Sequence, residues 1–125
     1  MTSDVIFAYT RAQAIADGGL VVVSELAKDA GFRFPVALTC RVWAECVEVP
    51  DGVAGQDETG RLWDVLNVLR FAIAKQKGDA ERVDFAVHVR NDNREGDPPL
   101  VQLYALCGPG DDAAPVITVM KIDED

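Results

Sequence analysis

The sequence predicts an α+β domain in which one long amphipathic helix packs across β-strands, and three observations carry that reading. Between Glu58 and about Gln76, Leu62, Val65, Leu66, Leu69 and Ile73 recur at helical spacing. In the last third the period becomes two. RVDFAVHVR sets Val83, Phe85, Val87 and Val89 on one side, and Arg82, Asp84, His88 and Arg90 on the other. Two further extended runs, LVQLYALC and PVITVMKI, follow, with NDNREGDPP before the first and a glycine-proline turn between them. Three consecutive strands with such connections predict a three-stranded antiparallel meander covered on one face by the long helix.

The earlier elements follow in order. VIFAYT reads as a short strand or an extended arm. Thr10 precedes RAQAIAD with Gln13 three residues on, a capping-box pattern, and Gly18 and Gly19 supply the stop. Leu20 to Ser24 is short and β-branched and reads as an extra strand. Ser24 is placed to cap ELAKDA, which Gly31 ends. In FRFPVALT, Pro35 argues against a central strand, because it has no N–H for a ladder. Thr39 is placed to cap CRVWAECVEV, whose Val42, Trp43, Cys46 and Val47 share one helical face. PDGVAGQDETG is a loop, and KQKGD ends the long helix with cations in its last turn. Trp43 and Trp63 lie in apolar helical patterns and are expected in the core.

A chain of 125 residues fits one domain spanning residues 1–125. Twelve basic against 21 acidic residues leave a net charge of −9. That balance repels nucleic-acid backbone and anionic membrane and suits a protein partner, a basic one in particular. No apolar run nears the ~20 residues that cross a bilayer, and MTSDVIFAYTRAQ lacks the layout of a secretory signal. The cysteines, Cys40, Cys46 and Cys107, are odd in number and never spaced C-x-x-C. They predict neither a disulfide framework nor a structural zinc site, and a reducing cytoplasm is the expected compartment. No cofactor is expected.

Three stretches carry groups capable of chemistry. CGPGDD joins glycine, proline and paired carboxylates, and because strands flank it on both sides it reads as a hairpin turn. Asp111 and Asp112 are its candidate metal ligands, although a hard cation asks for more oxygens than the pair supplies. A second cluster, His88, Arg90, Asp92 and Arg94, lies where a strand meets a loop and has the donors to grip a carboxylate or phosphate. The same RNDNRE stretch is rich in residues that form turns on their own backbone. His88 is the only histidine, so any Ser–His or Cys–His chemistry would depend on it. Cys107 and Cys46 fall on apolar faces and read as inert buried thiols.

Four segments together, YTRAQAIADGGLVVVSELAKDAGFRFPVALT, GQDETGRLWDVLNVLR, VRNDNR and CGPGDDAAPVITVM, resemble a family of small uncharacterised bacterial proteins often found on plasmids, phages and other mobile elements. KIDED and PDGVAG are individual to this chain. The resemblance implies a cytoplasmic protein tied to mobile DNA and carries no catalytic residue. With the charge, it leads to an expectation of a non-enzymatic accessory protein that engages a host protein such as a DNA-binding or defence factor. In one version its carboxylates imitate DNA phosphates, although they are spread along the whole chain. The alternative is a small ligand-binding domain or enzyme built on His88 and Arg90. Sheet edges also allow a homodimer.

Overall fold

The computed structural model describes residues 10–76 and 81–124. Of the expected strand or arm VIFAYT, residues 5–9 lie outside the described residues. The chain is α+β, and its elements are α1 (Arg11–Ala16), β1 (Leu20–Val22), α2 (Ser24–Asp29), β2 (Val36–Thr39), α3 (Cys40–Val42), α4 (Glu58–Lys75), β3 (Arg82–His88), β4 (Leu100–Pro109) and β5 (Pro115–Lys121). A π-helical turn, Trp43–Val47, continues α3. No helix of the described residues is long and apolar enough to cross a membrane.

The sheet has five strands in the order β1-β2-β5-β4-β3, not the three expected. Strands β3, β4 and β5 pair antiparallel, and β2 joins β5 in parallel with Val36 opposite Ile117. Pro35 did not exclude β2 from the middle of the sheet. It stands one residue before the strand, where its missing N–H breaks no ladder bond, and its carbonyl accepts from Ile117 N–H at 2.9 Å. All four β2 residues are buried, because the strand has neighbours on both edges.

Helix α4 lies on one face of this sheet. Leu66 and Leu69 are fully buried and pack with Val83, Phe85, Leu103 and Val119 of the strands. Val42, Cys46 and Val47 from the π-turn region close the same core. Trp43 packs against the core, whereas Trp63 is half-buried and takes no part in it. On the other face Tyr104 is buried, with the Arg82 guanidinium 4.0 Å above its ring centre.

Two local expectations gain tertiary partners. Thr10 and Gln13 form the reciprocal capping box of α1. The remaining early N–H groups, of Arg11 and Ala12, each donate to Asp111 at 2.9 Å from the β4–β5 turn. Ser24 does not cap α2. It is the first residue of that helix, and its hydroxyl instead accepts from Val36 N–H at 3.1 Å, pinning α2 to β2.

The helix N–H groups of Ala12 and Arg11 hold the Asp111 carboxyl below the usual carboxylate range. A depressed folded-state value means that this contribution is present above the unfolded value and is lost as pH falls. Asp111→Ala should therefore lower urea stability at pH 7, and its gap to the parent protein should narrow below about pH 4. Paired urea titrations at neutral and acid pH check this.

Candidate functional site

The polar cluster expected at residues 88–94 is a clasp between two loops. Arg61 sits in the apolar stripe of α4 and is only 5% exposed. Its guanidinium donates to the carbonyls of Cys46 at 3.1 Å, Arg90 at 2.9 Å and Glu45 at 3.3 Å, and to Asn91 Oδ1 at 2.7 Å. The Glu45 and Cys46 carbonyls stand at the end of the π-helical turn, where helical carbonyls lose their partners. A cation there also suits the negative end of the helix dipole. Burial lowers the Arg61 pKa, but an arginine stays charged.

Neighbouring amides finish the clasp. Asn91 Nδ2 donates to the Glu45 carbonyl at 2.9 Å, and Gln56 Nε2 donates to the Arg90 carbonyl at 2.9 Å. Asn93 accepts from Ala54 N–H at 3.0 Å and donates to the Gly52 carbonyl at 2.8 Å. Arg90 turns back on its own loop, donating to the carbonyls of Arg94 and Gly96 with Asp92 3.4 Å away. The Arg94 side chain extends into solvent, 3.9 Å from Asp92. His88 is exposed, and its Nδ1 lies 2.9 Å from the Pro98 carbonyl. A carbonyl only accepts, so Nδ1 carries the proton. The structure thus brings the four residues together, but most of their polar atoms hold backbone. The cavity beside His88 and Arg90 measures about 20 Å³, room for one water.

Asp111 and Asp112 lie at the opposite sheet end and face different partners. Asp111 uses both oxygens on α1, and Asp112 accepts from Ala114 N–H at 3.2 Å. The turn they occupy closes through Gly110 N–H to the Ala114 carbonyl at 2.8 Å, with Ala113 at φ 69°. Among the described residues no three His, Cys, Asp or Glu side chains form a metal-binding group. Cys46 is buried, and burial pushes its thiol up to about 11. Burial also raises the half-buried Cys107.

A larger concavity, not anticipated from the sequence, opens at the same end as the β4–β5 turn. It is a groove of about 740 Å³ between the end of α4, the α2–β2 loop and the strands. Phe32, Phe34, Ile73, Val83, Val116 and Ile117 supply apolar walls, and Cys107 contributes its edge. Phe34 is 44% exposed. Arg33 and Arg70 line the groove, and among the described residues Glu81 is its one carboxylate. Its size falls in the range of ligand-binding clefts. The exposed phenylalanine in FRFP was the available signal; the walls come from four separated stretches and meet only in the fold.

A family model described as "Family of unknown function (DUF6573)" matches residues 1–125. The chain belongs to this family. No curated protein and no solved structure matches it.

Removing Arg61 takes the guanidinium donors from the Cys46 carbonyl and the Asn91 amide oxygen, and leaves the Glu45 and Arg90 carbonyls with only their amide donors from Asn91 and Gln56. Arg61→Met should cost roughly 3 kcal/mol or more of unfolding free energy. Arg61→Lys should recover only part, since an ammonium lacks the planar fork that reaches four acceptors. His88→Ala, by contrast, should leave the melting temperature nearly unchanged. Urea titration of the three variants reads this out.

Proposed function

We propose that the protein is a non-enzymatic interaction module whose contact surface is the groove between α4, the α2–β2 loop and the β4–β5 turn. The observation that carries this reading is the groove itself: apolar, roomy and edged by an exposed aromatic. Apolar concavities with exposed aromatic anchors are where partner side chains gain most from leaving water. The ligand-binding or enzymatic alternative at His88 and Arg90 is less well supported, because their polar atoms are engaged in the loop clasp beside a one-water cavity.

The wider reading belongs to the same proposal. The resemblance to proteins of mobile elements and the net charge of −9 support an accessory factor that meets a host protein in the cytoplasm. The charge favours fast, salt-sensitive association with a partner whose remaining surface is basic.

The test is affinity capture from host lysate at low and moderate salt, with the parent protein beside Phe34→Asp. Phe34 is exposed, so the variant should keep the parent melting temperature. A partner held by the parent and lost with Phe34→Asp is the expected result. Capture indifferent to Phe34→Asp, or none at either salt, removes the proposal.

A further inference from the structure

The groove's walls are apolar, but its charges are uneven. Among the described residues, neither Arg33 nor Arg70 makes an ion pair or a hydrogen bond. Most other cations are engaged. Arg41 pairs with Asp123, Arg82 with Asp84 and Lys121 with Glu45, while Arg61 and Arg90 hold backbone carbonyls. In a chain with 21 acidic residues, two unengaged guanidiniums on one groove are a local departure from the prevailing charge.

Arg70 also lies over a glycine. Gly31 has φ +101°, a conformation that favours glycine. A Cβ built on it would lie 2.6 Å from Arg70 Nε and 3.0 Å from Cζ. The guanidinium therefore lies against the bare Gly31 backbone, in space that any other residue would fill. Planar guanidinium matches a carboxylate with two parallel hydrogen bonds.

Resting on the reading of the groove as a contact surface, we propose that its occupant is a short segment of a partner protein presenting bulky apolar side chains beside a single carboxylate. The side chains fill the space between Phe34, Ile73 and Val116, and the carboxylate meets Arg33 and Arg70. One carboxylate suits the site better than an acidic run, because Glu81 is also at the groove and the whole chain carries −9. Long-range charge repels a strongly anionic segment, so only a locally paired anion is favoured. Most of the affinity comes from the apolar side chains, and the carboxylate decides which apolar segments are accepted.

The experiment is selection from a library of displayed random peptides on the immobilised full chain, with Phe34→Asp as the counter-selecting bait. Enriched peptides should place Asp or Glu beside Phe, Leu or Trp. For a selected peptide, Arg70→Gln should weaken binding about tenfold. Replacing the peptide's Asp by Asn should weaken it by a similar factor, and combining the two changes should add little further loss. Arg33→Gln should act in the same direction. Both arginines are exposed and, among the described residues, unpaired, so the variants should melt with the parent. Gly31→Ala should also weaken the peptide by displacing Arg70. Enrichment of apolar peptides without a carboxylate, or of basic ones, would overturn the assignment of the occupant while leaving the groove as a contact surface. Absence of any peptide that distinguishes the parent from Phe34→Asp would overturn both. Concentration-dependent self-association lost in Phe34→Asp would assign the groove to a second copy and equally remove the proposal.

Discussion

The Arg61 guanidinium is the contact on which the arrangement of this chain depends. A π-helical turn is an awkward way to leave a strand, because its last carbonyls face inward without helical partners. The turn Trp43–Val47 is stable here because a charged side chain from the next helix reaches the Glu45 and Cys46 carbonyls. The same fork binds the Arg90 carbonyl and the Asn91 side chain, which start the β3–β4 connection. One residue thus fixes the exit from β2, the start of α4 and the path after β3. Its acceptors are neutral, so the burial of its charge is compensated by oriented dipoles rather than by a carboxylate.

That constraint divides the molecule into two ends. Helix α4 runs from the clasp near residues 88–94 to the groove near Ile73 and Val83. At the clasp end the loop before α4 meets the β3–β4 connection. The Asn93 bonds to Gly52 and Ala54 tie those two loops together. The groove end retains the unengaged arginines. The two ends thus differ: one is closed by polar contacts between loops, and the other opens as an apolar cleft lined by Arg33 and Arg70. The C-terminal acids have a further structural use. Glu124 accepts from Thr39 Oγ1 at 2.8 Å and from Lys121 N–H at 2.9 Å, which fastens the tail to the β2–α3 junction.

Much of the local structure was legible, and the failures have identifiable causes. The α4 stripe, the β3 alternation and the Thr10 capping box are short-range patterns. Pro35 misled because a proline just ahead of a strand looks, in one dimension, like one inside it. Ser24 misled because a hydroxyl before a helix has two uses, and the approach of β2 chose the other. RNDNRE was seen both as a turn former and as an anion grip, and the carbonyls around it drew most of its donors. The signal for Arg61 was present: it precedes Val65 and Leu69 at i+4 and i+8, on the buried face of α4.

By itself the sequence determined the class of the fold, the long helix, the alternating strands, the buried setting of Cys46 and the charge, because each follows from composition or from contacts a few residues apart. Only the tertiary structure decided that five strands join in one mixed sheet, that Asp111 caps a helix 100 residues away, and that Phe34, Arg70 and Val116 share a groove. These depend on pairings between distant segments, for which local periodicity carries no information.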